Sequence, residues 1–304
     1  MTDSTGCDTV AAPPALFGPR ILIPAALIAL YLVWGSTYLA IRVALESYPP
    51  FLMAGTRFLI AGSALYAFLR WRGVPAPTRA QWTNAALTGA LLLGMGNGLV
   101  CFAEQSVASG LAAVAVAAMP LFAATFGSLY GHWPRRMEAL GLAVGFAGVV
   151  LLNIGGGMSG APLGAIALLV AAASWAFGSV WSRHRDMPPA AMNTAAQMLT
   201  GGTLLFFGSL LFGERFPAAP TGAATFALGY LVVAGSLIGF TAYLYLLNTV
   251  RPALATSYAY VNPPVAVIVG ALLGGETIHA FDVLAMAVIL GGVGLIALAR
   301  ERRA

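Results

Sequence analysis

Ten apolar stretches of roughly membrane-crossing length, joined by short connections, constrain this chain more than any other feature. They cover residues 21–45, 51–70, 83–105, 109–130, 137–153, 162–182, 190–212, 223–248, 252–274 and 280–299. About 20 such residues carry a helix across the hydrocarbon core of a bilayer. A helix is also the form that satisfies every backbone polar group inside its own segment when no water is present. The expected fold is an all-α integral membrane protein with ten transmembrane helices. A soluble alternative fails on charge: 8% of the residues are charged, against about a quarter in a soluble domain. The short connections leave no room for an extramembrane catalytic domain.

Arginine placement predicts the orientation. With the N-terminus in the cytoplasm, the cytoplasmic segments carry Arg20, Arg70, Arg72, Arg79, Arg135, Arg136, Arg183, Arg185, Arg251, Arg300, Arg302 and Arg303. The opposite side carries Arg215 together with Glu46, Glu104, Glu214, Glu276 and Asp282. Both termini are therefore expected inside. The net charge of +5 is scattered over loops rather than gathered in a patch, which argues against a nucleic-acid partner. The segment ahead of Arg20 holds Asp3 and Asp8 but no basic residue, so it lacks the basic start of a signal peptide. The first apolar stretch is expected to stay in the mature protein.

The chain repeats itself. At one constant offset Pro120 matches Pro263, Gly96 matches Gly239, Leu111 matches Leu254, Gly127 matches Gly270 and Gly148 matches Gly291. The front ends match more loosely, as Trp34 with Trp175 and Gly62 with Gly201. Five helices per half is an odd number, so the halves must sit upside down relative to each other. The expected organisation is a disordered cytoplasmic tail (1–20), a first repeat (21–154), a Gly-rich linker (155–161), a second repeat (162–300) and a short cytoplasmic tail (301–304). Pro120, and Pro263 with Pro264, interrupt apolar stretches at corresponding places. Such interruptions point to the binding site of a transporter. Helix breaks are expected at all three prolines, with Gly127 and Gly270 as bending points.

Several motifs then stand in order: WGSTYLAIR at Trp34–Arg42, RFLIAG at Arg57–Gly62, GNG at Gly96–Gly98, RPALATSYAYVNP at Arg251–Pro263 and GGET at Gly274–Thr277. Their order and spacing resemble the drug/metabolite transporter superfamily, and within it the EamA family of bacterial inner-membrane proteins. The resemblance covers about residues 27–298. It implies multi-pass inner-membrane localisation and export of amino acids and related metabolites through a central cavity by alternating access. The family often has an acidic residue after the fourth helix, as Glu276 stands after the ninth; here Trp133 occupies that position, so the halves are not equivalent there.

Candidate site residues follow from depth and helix face. Tyr31, Trp34, Tyr38 and Arg42 share one face of the first helix. They read either as an aromatic cavity wall or as packing and interfacial residues. Depth and the repeat mate Trp175 favour Trp34 for the cavity, and Tyr38 lies nearer the outer edge. Arg42 is expected to pair with Glu46 one turn on. Arg57 lies about 10 Å inside the second helix, where a charge is costly and wants a partner. Glu104 is the expected partner, either as a gate or substrate contact or as a fixed structural pair. Asn193 on the seventh helix reads as interhelical glue. Asn97 and Gln197 lie deeper and are assigned to the cavity. Tyr243 is assigned there as well, on the eighth helix. Tyr258 and Asn262, beside the prolines, are the residues most expected to touch substrate. Glu104 and Glu276 are candidate gate or proton-coupling groups.

No metal-ligand or nucleophile pattern appears, so neither a cofactor nor an enzymatic activity is expected. No acidic residue or histidine stands deep in a span, so no buried proton relay is expected. The expected partners are a small-molecule substrate, the lipid bilayer, and a proton or exchange substrate for coupling. The resemblance implies a secondary transporter that exports amino acids, aromatic or other neutral ones, and related small metabolites, and the aromatic candidates for the cavity wall suit an apolar or aromatic side chain. The alternatives are a multidrug or lipophilic-cation efflux carrier, then a channel or membrane-embedded enzyme.

Overall fold

Apolar length makes the helices, and proline, threonine and acidic residues begin them. The computed structural model describes residues 19–131, 133–155, 161–250, 254 and 257–301. Most of the expected tails and linker (1–18, 156–160 and 302–304) lie outside the described residues, as does most of 251–256. The described chain is all-helical: α1 Pro19–Leu45, α2 Pro50–Trp71, α3 Arg79–Ala103, α4 Ser109–Tyr130, α5 Arg136–Gly155, α6 Pro162–Ser182, α7 Ala190–Leu211, α8 222–249, α9 Tyr258–Gly274 and α10 Ala280–Glu301. Nine of these are long and apolar enough to cross a bilayer, and α9 is a shorter apolar helix of 17 residues.

The helix starts have identifiable chemistry. Pro50 and Pro162 occupy first-turn positions, where a missing N–H costs nothing. Thr78 and Gln81 form a reciprocal capping box at α3. At α5 the Arg135 amide donates to Glu138 at 2.9 Å, and at α10 the His279 amide donates to Asp282 at 3.1 Å. These two caps begin the last helix of each half, so the second half repeats the first in its capping chemistry too.

Contacts at the helix ends fix the topology. The start of α4, the end of α1 and the turn after α9 meet at Glu276. The start of α2 meets Glu214 after α7, and the turn after α1 meets the start of α8 through Ser47 and Thr221. Gly164 at the start of α6 lies against Ser106 and Val107 at this same end. At the opposite end the start of α3 bonds Asp186, between α6 and α7. Thus α1 ends where α6 begins, and the two halves are inverted.

Equivalent helices pair across the pseudo-two-fold: α2 packs on α7, and α5 on α10. The other contacts cross over, with α1 lying on α8 and α9 while α6 lies on α3 and α4. Lipid offers no hydrophobic drive between helices, so small residues that let backbones approach decide these seams. A Cβ on Gly148 would meet the Ile289 nitrogen at 2.8 Å, and one on Gly292 would strike the backbone of Gly145. Gly62 likewise meets Met198 and Leu199, while Gly202 meets Phe58 and Leu59. The structural mates are therefore Gly148 with Gly292 and Gly62 with Gly202, each one position beyond the sequence match.

Two irregularities frame the interior. Ala90–Asn97 of α3 and Leu231–Ile238 of α8 are wound as π-helix, at corresponding places in the two halves. Such wide turns often mark functional sites. In α4 the helix breaks after Val116 and resumes at Met119, with Pro120 in the first turn of the new segment. The expected break at Pro263 and Pro264 is not there. Instead α9 runs through both prolines, and the turn precedes it at Ser257. The two prolines each remove one donor from the backbone ladder near the start of a helix that begins at Tyr258, and the helix continues past them to Gly274. Gly127 and Gly270, expected as bending points, occupy two different settings. Gly127 ends the second segment of α4, and Gly270 makes room for the Glu276 carboxylate, whose Oε2 a Cβ would meet at 2.5 Å.

Candidate substrate cavity

The crossover packing leaves a cavity bounded by α1, α2, α3, α4, α6, α8 and α9. Trp34, Tyr38, Arg57, Asn97, Trp175, Tyr258 and Asn262 all line it. Thr37, Met119, Gly235 and Phe240 complete the wall at points that sequence reasoning missed.

The two tryptophans are related by the repeat. Trp175 of α6 packs on Gly96 of α3, and Trp34 of α1 packs on Gly239 of α8. The glycines at this contact are themselves a repeat pair. Trp34 donates from Nε1 to the Gly235 carbonyl at 3.1 Å. Its ring stands edge-on to Tyr258 at 4.9 Å and to Phe240 at 5.3 Å. Tyr243 touches both Trp34 and Tyr258 but stands behind them, so it supports the wall rather than lining it. Tyr31 bonds Ser257 at 2.5 Å, tying α1 to the turn before α9.

Arg57 is 4% exposed. Its Nε donates to Ser236 Oγ at 3.0 Å, and Ser236 sits in the π-wound segment of α8, where its own hydroxyl donates to the Leu231 carbonyl. The expected pair with Glu104 is not formed: among the described residues Arg57 stands in no ion pair, whereas Arg42 pairs with Glu276. One guanidinium nitrogen, NH1, has no hydrogen-bond partner. Asn262 of α9 is 8% exposed, and its Oδ1 is unpartnered as well. Asn97 accepts from Cys101 at 3.6 Å. Gln197 lies outside the cavity wall; its amide donates to Asn193 one turn back, because that face of α7 is pressed against Gly89 of α3.

Outside the cavity wall, a carboxylate ties together the end of α1, the start of α4 and the turn after α9. Glu276 accepts from the Ser109 amide at 2.8 Å and the Gly110 amide at 3.0 Å, capping α4. It also pairs with Arg42 at 2.5 Å, which therefore does not reach for Glu46 as expected. Burial alone would raise the Glu276 carboxyl, but the amides of Gly110 and Ser109 and then Arg42 outweigh it and hold it below the usual carboxylate value. A lowered value means stability present above the unfolded value of about 4.3 and lost as pH falls through the folded one. Glu276→Gln should therefore cost about 2 kcal/mol at neutral pH. Thermal melting in detergent should show this deficit shrinking toward zero as pH drops below about 4; a deficit independent of pH would contradict the assignment.

The inverted five-helix halves and the cavity between them define a membrane transporter built on one repeated unit. The EamA-like transporter family matches residues 22–154 and again 162–298, and the chain belongs to it. It is 49% identical over 284 residues to the uncharacterized inner membrane transporter YedA of Escherichia coli (strain K12), covering 92% of this chain and 93% of that protein. A Streptantibioticus cattleyicolor protein named "Probable terminal-alkyne amino-acid exporter" is 27% identical over 284 residues, covering 92% and 95%. One crystal structure superposes with a TM-score of 0.62 over 92% of this chain and 98% of its own, at 20% identity; that likeness concerns the fold.

Proposed function

We propose that this transporter is a secondary carrier that exports neutral amino acids with apolar or aromatic side chains, and related small metabolites, across a bacterial inner membrane. The observation that carries the reading is a pair of orphan atoms on two residues of a largely apolar and aromatic cavity wall: the Arg57 NH1 donor and the Asn262 Oδ1 acceptor. A zwitterion offers both complements, a carboxylate for the guanidinium and an ammonium for the amide oxygen. Trp34, Tyr258 and Trp175 offer apolar surface for a side chain. A lipophilic cation would meet the Arg57 charge, which favours amino acids over cationic drugs. The amino-acid exporter among the relatives points the same way.

Alternating access is assigned to the two halves, 21–154 and 162–300, with both termini cytoplasmic and the Glu276 end outside. The Arg42–Glu276 pair, bridging α1, α4 and the turn after α9, then serves as the outer gate. Counterflow in proteoliposomes tests the reading, using labelled phenylalanine and threonine competed by amino acids, sugars and a lipophilic cation. The expected result is saturable exchange with neutral amino acids and no competition by the cation. Cation transport without amino-acid exchange would move the assignment to drug efflux.

A further inference from the structure

The acidic side chains of the described core have assigned work, with one exception. Glu138 and Asp282 cap their own helices, Glu214 caps α2, and Glu276 caps α4. Glu104, just past the end of α3, is 3% exposed, and neither carboxylate oxygen has a hydrogen-bond partner among the described residues. A carboxylate buried without donors costs several kcal/mol, and a proton removes that cost.

The charged groups that face it are Glu276, Arg42 and Arg57. Arg42 is committed to Glu276. Tyr38 on α1 and Cys101 one turn back on α3 also face it, and both are neutral side chains at ordinary pH. That leaves Arg57, always protonated, a residue of the cavity wall with one unpartnered guanidinium nitrogen. Two arginines thus face one ionised carboxylate and one unpartnered carboxyl.

We propose that Glu104 is the proton-carrying residue of the transport cycle: it is neutral in this conformation, and its proton and a substrate carboxylate at Arg57 are carried together. The inference rests on the reading of Arg57 as the carboxylate anchor. With Glu104 protonated, Arg57 is an uncompensated cation that draws a carboxylate. When Glu104 releases its proton to water, its own negative charge compensates Arg57 and repels the substrate. Proton and substrate binding therefore strengthen each other by the same factor. The two move in one direction, and each exported zwitterion takes a proton with it.

The test begins without substrate. Infrared pH-difference spectra of the full chain in lipid nanodiscs should show a protonated carboxyl band that persists well above the carboxylate range and is absent from Glu104→Gln. Removing the nearby cation in Arg57→Gln should move its midpoint up by about one pH unit or more. Glu104→Asp keeps an ionisable group if the glutamine variant does not fold. Identical spectra for wild type and Glu104→Gln would overturn the proposal, and an unmoved midpoint in Arg57→Gln would overturn the coupling. In liposomes, phenylalanine efflux should acidify the side it reaches, and alkalinisation there would mean antiport and contradict the proposal. If Arg57→Gln exchanges phenylalanine like wild type, the anchor reading fails while the carboxyl band still decides Glu104.

Discussion

Gly292→Leu should leave no folded protein to purify. α5 and α10 form one of the two seams where equivalent helices of the halves meet, and at Gly292 the helices touch backbone to backbone. A Cβ there would sit 2.5 Å from the Gly145 Cα and 2.6 Å from the Gly141 carbonyl oxygen. Backbone atoms cannot swing aside as a side chain end can, so α10 must move bodily. A single added methyl, in Gly292→Ala, should cost about 1–3 kcal/mol by overpacking, and a leucine several times its bulk should prevent the helices from docking. The control is one position away: a Cβ on Gly291 meets nothing within 4 Å. Gly291→Ala should stay within about 0.5 kcal/mol of wild type. Fluorescence-detected size exclusion with a thermal ramp reads all three. A folded leucine variant, or an alanine variant at Gly291 as damaged as one at Gly292, would show that the seam is wrongly placed.

Arg57→Gln should reduce amino-acid exchange by about tenfold to a hundredfold, because a hydrogen bond to a charged group is worth about 1.5–3 kcal/mol and about 1.4 kcal/mol is a factor of ten. The loss should appear mainly as weaker binding. Stability should not fall with it. The charge is 4% exposed and held by one bond, from Nε to Ser236, so removing it also removes a desolvation cost. Arg57→Leu gives a second variant with no polar head, and it should lose exchange at least as completely. Arg57→Lys keeps the charge but not the planar fork, and should recover part of the exchange. A glutamine variant that melts normally and exchanges normally would remove Arg57 from the site.

Much of this fold is legible in the sequence, for physical reasons. Apolar length and arginine asymmetry are averages over many residues, so the helices and their count survive small errors at each end. Depth and helix face found Trp34, Trp175, Arg57, Asn97, Tyr258 and Asn262, because a polar or aromatic group deep in a span has few places to go. Register was harder. The repeat mates of Gly148 and Gly62 are Gly292 and Gly202, and each stands beside another glycine, Gly291 or Gly201. A glycine doublet reads the same under a slip of one position, and only the helix seam distinguishes its members. The partners of Arg42 and Arg57 were misjudged for a related reason. Local spacing favours Glu46 for Arg42, whereas Glu276 is far away in the chain and is held in place by two amides at the start of α4. Ser236 stands in a π-wound segment whose wider bonding no α-helical periodicity reveals.

The central claim is that the cavity between the inverted halves holds the substrate by Arg57 and Asn262. A structure determined with a transported amino acid bound tests it most directly. The expected density lies in that cavity, its carboxylate within hydrogen-bonding distance of Arg57 NH1, its ammonium on Asn262 Oδ1, and its side chain against Trp34, Tyr258 or Trp175. Density for a transported substrate elsewhere, or in the cavity with its carboxylate turned away from Arg57, would contradict the account.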